Sequence, residues 1–350
     1  MTSDRSKSAP AFCPETASLV ESWERRQSEL QRQLADRQRD HGLVAALSAL
    51  HLQQLETGFI RDDLEGVRHY RFPGNRFGAD HFRVQFNPAR ARRFGGVGPA
   101  VPPRGVDPVH HGCFLCADNI RWQSRGLELG YRLPAPHDHL KAWMNPFPLA
   151  SGHLILASIA HEEQHWHGDA DRLGQIVEEL IEVVAELPGW LGFHNGVGAG
   201  ASIPGHLHHH LMPCSAQQGA FPLEQSIAFF QRDGWAESVY PMGFLHWRGT
   251  PEVLKTRMKN WLPAWHSRVE RVATANIIVL HRRDEDALDL VFVPRHPSRS
   301  RAEGLNGVIG AFEALGEIIC SSPEELARIE RGDISYDAIA DMLSQVSIAP

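Results

Sequence analysis

The chain has few of the features that mark an exported, membrane-spanning or polyanion-binding protein. Its opening residues, MTSDRSKSAP, hold no apolar segment, and no later stretch approaches the roughly 18 consecutive apolar residues of a membrane span. The expectation is a soluble protein of the cytoplasm with no membrane partner. Basic residues are outnumbered, 35 Lys and Arg against 42 Asp and Glu, giving a formal charge of -7 that argues against a general nucleic-acid surface. A nucleotide pocket needs only a few local cations, so phosphate ligands stay open. Cysteine is sparse and odd in number, five residues at positions 13, 113, 116, 214 and 320, which disfavours a disulfide framework. What remains is a globular composition, 42% hydrophobic over 350 residues, enough for two domains or one large one.

Residues 15 to 57 are rich in Glu, Gln, Arg, Leu and Ala, with Leu19/Trp23 and Leu30/Leu34 four apart, and read as one or two amphipathic helices. They form an N-terminal arm over 1–60, for packing or for a homodimer. From 73 to 108 the chain is Pro-, Gly- and Arg-rich around one strand-like piece, HFRVQFNPAR, and is expected to be mostly loop. HLKAWMNPF and GHLILASIA then read as a hairpin. Asp169 can cap a helix carrying Leu173, Ile176, Val177, Leu180, Ile181, Val184 and Leu187, stopped by Pro188-Gly189. WLGFHNG and GHLHHHLMP follow as strands, with the glycine-rich GVGAGASIPG between them. A fainter echo in TANIIVLHRRDEDALDLVFVPRH sets Asn276 against Asn145 and His296 against His161, an internal duplication with one active half.

The segment IPGHLHHHLMP places four histidines at 206, 208, 209 and 210. In a strand, alternation puts His206, His208 and His210 on one face at about 7 Å intervals and turns His209 to the other. Three uses compete for the convergent set. They are a metal site, a structural polar cluster, or nucleophilic catalysis in which one imidazole attacks phosphorus and its neighbours orient it or carry a proton. The preceding HNGVGAGAS favours phosphate chemistry, because small residues let backbone N–H groups gather around phosphate oxygens. No acidic cluster of the magnesium-binding kind stands beside it, so charge stabilisation falls to amides and side chains.

HGCFLCADN supplies Cys113 and Cys116 without the strand-to-helix context of a thioredoxin motif. A structural zinc needs two further ligands; His161, or His165 in its place, and His206 are candidates. Buried free thiols are the alternative.

Together these segments resemble the histidine triad superfamily. SIPGHLHHHLMP is similar to its H-x-H-x-H/Q signature, and CFLCADNIR resembles the zinc segment of galactose-1-phosphate uridylyltransferases. FRVQFNPARAR, NPFPLASGHLILASIAHEEQ, HNGVGAGAS and GAFEALGEIICSSPEELARI look like the branch that includes diadenosine tetraphosphate and GDP-hexose phosphorylases, so the likeness covers roughly residues 80 to 330. The resemblance implies an α+β fold, a HIT-like antiparallel sheet with flanking helices. It further implies a catalytic half over 61–220 with the zinc site, and a second, degenerate half over 221–350.

By the same resemblance His208 is the nucleophile, and Cys113, Cys116, His161 and His206 hold a structural zinc. Asn195 and Ser202 lie near the phosphate, and Asn145 lies near the nucleoside. Gly198 and Gly200 of the loop and Arg90 of NPARARR complete the substrate-binding set. The implied activity is nucleotidyl transfer from a nucleoside diphosphate sugar or dinucleoside polyphosphate to phosphate or a sugar phosphate. His210 departs from the Gln usual in the transferases and matches the hydrolase branch, since an imidazole can also deliver a proton. A hydrolase using water as acceptor, or a zinc-stabilised nucleotide-binding protein without turnover, are the alternatives.

Overall fold

The computed structural model describes residues 14–60, 64–95, 101–124, 126–214, 219–230, 240–283, 285–305 and 307–348. Two helices open it, α1 (Pro14–His41) and α2 (Leu43–Glu56). Strands β1 (Arg68–Pro73) and β2 (His81–Phe86) follow, then α3 (Ala117–Gln123), β3 (Tyr131–Arg132), β4 (Leu140–Met144), β5 (Leu154–Ser158), α4 (Ala170–Ala185), β6 (Trp190–Asn195) and β7 (His208–Pro213). The remainder comprises α5 (Pro222–Phe230), β8 (Leu245–Gly249), α6 (Pro251–Arg268), β9 (Thr274–His281), β10 (Leu288–Arg295), α7 (Ala311–Ala314), β11 (Glu317–Cys320), α8 (Pro323–Glu330) and α9 (Tyr336–Gln345). Among the described residues no helix is long and apolar enough to cross a membrane.

The fold is α+β, as expected. Eight strands form one sheet in the order β3-β4-β5-β7-β6-β9-β10-β8, and β1-β2-β11 form a second, smaller one. The large sheet is covered on both faces, so β9 is buried along most of its length. Ala275, Ile277 and Val279 point into one core with the apolar stripe of α4 and with Leu254, Met258, Leu262 and Trp265 of α6. Ile278 and Leu280 alternate into the other, with Phe82 and Val84 of β2, Phe312 of α7 and Ile339 and Leu343 of α9. Helix α4 begins where expected, because the Asp169 carboxylate accepts the amides of Asp171 and Arg172. Gly192 lets that helix lie close, since a Cβ there would fall 2.3 Å from Val184 Cγ2.

The N-terminal arm spends its apolar face on its own chain. Trp23, Leu30, Leu34, Leu43, Leu47 and Leu50 join the first core. Its glutamines hold the strand edge beneath: Gln27 bonds both backbone groups of Gly130 (3.0 and 2.7 Å), and Gln31 bonds both of Arg132 (2.8 Å each). Of the two roles expected for the arm, packing is the one seen here.

The order β5-β7-β6-β9-β10-β8 is palindromic, and α6 follows β8 as α4 follows β5. This corrects the correspondence drawn from the sequence echo. β9 takes the place of β6 rather than β4, so Asn276 pairs across the central strands with Asn195 and does not stand in for Asn145. His296 caps a short 3-10 turn by accepting the amide of Ser298.

His209 faces the helices, as alternation requires. Its Nε2 lies 2.8 Å from the carboxylate of Glu179 on α4, which His139 also contacts. Burial would raise the Glu179 carboxyl, but the hydrogen bonds and charges of His209 and His139 outweigh it and hold it at about 2. A depressed carboxyl stabilises the fold fully above its unfolded value and loses that contribution as pH falls through the folded one. Glu179→Gln is therefore expected to cost about 1–3 kcal/mol at pH 7, with the gap to the parent closing towards pH 2. Urea melts at pH 7 and pH 3 measure this, and an equal gap at both would reject the pairing.

Candidate active site

Strand β7 begins at His208, so the face shared by three imidazoles is shortened: His206 precedes the strand and its ring turns elsewhere. His208 and His210 do share a face, with ring centroids 5.2 Å apart. They are held between β5 and β6 by the pairs Ala157↔His208, Ile155↔His210 and Phe193↔His210.

His208 Nδ1 lies 2.7 Å from the carbonyl oxygen of His206 and donates its hydrogen there. That bond fixes the tautomer and leaves Nε2 with a free lone pair. Burial pulls its pKa down to about 4, so the ring is neutral at pH 7. His208 is 1% exposed, yet it lines a cavity of about 720 Å³ with Phe114, Leu115, Trp143, Asn145, Phe147 and Ser202.

A proton chain sets His210. The amide of Leu149 donates to Nδ1 of His153 (3.0 Å), so His153 carries its proton on Nε2 and donates to His210 Nδ1 at 3.0 Å. His210 accordingly carries its own proton on Nε2. Burial, reinforced by the neighbouring imidazoles and Arg90, holds it well below its ordinary value and hence neutral. It lines the first cavity and a second one of about 790 Å³.

The second cavity is polar. Arg90, Arg93, Arg301, Glu313, Asn195 and Gly200 line it, and Arg90, Arg93, Ser202 and His210 belong to both. Burial lowers Arg90 to about 10, and its Nη1 donates to the Phe147 carbonyl at 2.6 Å. Arg92 stays exposed. Asn195 is fixed from the far half of the chain: its Oδ1 accepts from Asn276 Nδ2 and from the Ala311 amide, both at 2.8 Å. Asn276 Oδ1 in turn accepts from the buried guanidinium of Arg295 at 2.8 Å.

The glycine loop divides. Gly198 and Gly200 both have positive φ, at 76° and 95°, and a Cβ would meet Pro297 at 3.0 Å and Gly310 at 2.5 Å. Gly198 therefore serves packing against the second half and lines neither cavity, which departs from its expected place among the substrate contacts. Gly200 and Ser202 reach the cavities, and the amides of residues 200–202 have no acceptor among the described residues.

Cys113, Cys116, His161 and His206 come together, with one ligand atom from each within 4.8 Å of all the others. Sγ of Cys113 lies 3.4 Å from Nδ1 of His206, and Sγ of Cys116 lies 3.3 Å from Nδ1 of His161. These spacings suit a tetrahedral ion with bonds of about 2.0–2.3 Å. Nε2 of His206 donates to the carbonyl of Ser158 at 2.8 Å, leaving Nδ1 to the group. Hydrogen bonding from Cys116, then from His206, draws Cys113 towards the thiolate. His161 rather than His165 joins the set; His165 stacks on Trp166.

Sequence reasoning missed several residues. Buried Gln164 ties the two strands at the site, its Nε2 donating to the carbonyls of Asn195 (2.8 Å) and His208 (3.1 Å) and its Oε1 accepting the His208 amide (2.8 Å). His153, Arg301 and Glu313 arrive from distant segments, and nothing in their local sequence marks them.

Over residues 50–213 the chain matches the model of a domain of unknown function (DUF4922). No curated protein gives a significant match. Among solved structures, yeast Ap4A phosphorylase Apa2 in complex with AMP aligns with a TM-score of 0.58 at 13% identity, over 87% of this chain and 95% of that one. The chain has the Ap4A phosphorylase fold. The same yeast enzyme without ligand gives 0.54 at 15% identity, over 86% and 93% of the two chains. Its complex with Ap4A gives 0.52 at 13%, over 87% and 96%. The Ap4A phosphorylase fold agrees with the histidine triad-like resemblance read from the motifs, and its coverage takes in the C-terminal part beyond the matched domain.

Proposed function

We propose that this protein is a nucleotidyltransferase of the phosphorylase type, acting on a dinucleoside polyphosphate or nucleoside diphosphate sugar through a covalent intermediate on His208. The observation that carries this reading is the bond from His208 Nδ1–H to the His206 carbonyl, which aims an unprotonated Nε2 into the cavity. Nε2 attacks the α-phosphorus, the P–O bond to the leaving group breaks, and that oxygen keeps the electron pair. Amides of residues 200–202 and the hydroxyl of Ser202 hold the non-bridging oxygens as charge builds. A phosphate oxygen of the acceptor, held by Arg90, Arg93 and Arg301 in the polar cavity, then attacks the same phosphorus. The N–P bond breaks and its pair returns to Nε2.

His210 fits this role in place of glutamine. Fixed as a neutral Nε2–H donor by His153, it offers the hydrogen bond an amide would give and holds no spare proton for a leaving group. This favours transfer over hydrolysis. Zinc, held by Cys113, Cys116, His161 and His206, would supply structural rigidity where the chain enters β7. The cytoplasm, where thiols stay reduced, suits such a site. Residues 221–350 are proposed as a degenerate second half that braces Asn195 through Asn276 and Arg295.

Incubation with radiolabelled Ap4A and inorganic phosphate tests the acceptor. The expected products are ATP and ADP, formed in proportion to phosphate, with ADP carrying the phosphate taken up. AMP as the product whether or not phosphate is present would assign a hydrolase instead.

A further inference from the structure

Strands β6 and β7 pair from Trp190↔Pro213 to Phe193↔His210 and no further, although β6 continues to Asn195 and β7 begins at His208. The same register would set Asn195 opposite His208 as the next hydrogen-bonded pair, because such pairs fall on every second residue of an antiparallel ladder. Another group takes that place. The side-chain amide of Gln164, from the segment after β5, accepts the His208 amide on Oε1 (2.8 Å) and donates from Nε2 to the carbonyls of Asn195 (2.8 Å) and His208 (3.1 Å). An amide set between two backbones holds them wider than a closed ladder, about 4.8 Å between strands.

The gap is local. On their outer sides β7 pairs with β5 as far as Ala157↔His208, and β6 pairs with β9 as far as Asn195↔Asn276. Gln164 is fully buried, and its own backbone N–H is anchored on the Pro204 carbonyl at 3.1 Å. A closed ladder would satisfy the Asn195 and His208 backbone groups without any side chain, so what the glutamine adds is separation.

The two residues it joins are the two ends of the site. The glycine loop leaves β6 after Asn195 and returns to β7 at His208, so the width between them fixes how far the nucleophile stands from the amides of residues 200–202. In-line attack needs reacting atoms about 3–3.5 Å apart, and a misplacement of about 1 Å costs on the order of 100-fold.

We propose that Gln164 is a positioning residue, the spacer that sets His208 at attacking distance from a phosphate held by the glycine loop. This rests on His208 being the nucleophile, as proposed above. Gln164→Met keeps the length of the side chain and loses its bonds. Gln164→Glu keeps them only while the introduced carboxyl is protonated, since a carboxylate repels the two carbonyls. Each full-length variant is mixed rapidly with the donor that labels the parent, Ap4A or a UDP- or GDP-hexose, and followed by intact-protein mass spectrometry. Calorimetry measures binding of the matching nucleoside monophosphate, and thermal melts check folding.

Gln164→Met is expected to slow formation of the adduct roughly 100-fold, with monophosphate affinity within about threefold of the parent. Gln164→Glu should show a similar deficit at pH 8 and recover about tenfold or more by pH 6, where burial favours the acid, while the parent, which carries every other titrating group, stays level. Adduct formation in Gln164→Met within about threefold of the parent, a Gln164→Glu rate indifferent to pH, or monophosphate affinity that falls in step with the rate overturns the assignment. Should either variant not fold, a crystal structure of the parent adduct decides: the amide still between Asn195 and His208 upholds the spacer, and a closed pair of the two residues removes it. A parent that no donor labels rejects His208 as nucleophile and the spacer with it, whereas a labelled parent beside undiminished variants rejects the spacer alone.

Discussion

His208→Asn is expected to lower turnover roughly 10,000-fold or more while nucleotide affinity stays within a few-fold of the parent. The loss is large because no neighbour can replace the nucleophile. His206 Nδ1 faces the two cysteines, and His210 Nδ1 is occupied by His153 while its Nε2 carries the proton. Affinity is spared because the apolar wall and the arginines are untouched. The same tautomer sets the pH profile of the parent. Burial holds His208 at about 4, so protonation removes the lone pair only in acid. The value of kcat/KM should be insensitive to this ring above pH 5 and fall as pH drops through 4. A limb near pH 6.5, the ordinary imidazole value, would place the nucleophile in water and contradict the buried geometry.

Cys113→Ser is expected to remove about one equivalent of zinc per chain and lower Tm by roughly 6 °C, the effect of losing on the order of 4–5 kcal/mol in a chain of this size. The four residues come from three separated stretches, the turn before α3, the end of β5 and the entry to β7. An ion joining them closes long loops, and without it two thiols and two imidazoles face one another half-buried. His206 is both a member of this group and the residue whose carbonyl orients His208, so metal loss should also lower the rate of nucleotide transfer. Elemental analysis with calorimetric melts measures both. Metal-free protein with the parent's Tm and rate would assign the group to packing alone.

What the sequence made legible follows from the range of each interaction. Period-two alternation in β7 separates His208 and His210 from His209 without reference to any other strand, and Glu179 on α4 takes His209 as alternation requires. Asp169 and the stripe of α4 are equally local signals. His206 was misplaced because where a strand begins depends on its neighbours' register; pairing with β5 starts at His208. The close approach of Gly198 to Pro297 is not legible in the sequence, because the two lie over 90 residues apart. Gln164, Arg301 and Glu313 carry no local mark at all, since they become site residues only when the sheet and its loops bring them to one place.

Intact-protein mass spectrometry after brief mixing with Ap4A or a nucleoside diphosphate sugar, without acceptor, tests the central claim most directly. The account predicts one nucleoside monophosphoryl adduct per chain, acid-labile, mapping to His208, removed by added phosphate and absent from His208→Asn. An adduct that persists in that variant, or turnover with no adduct on the parent, would contradict it.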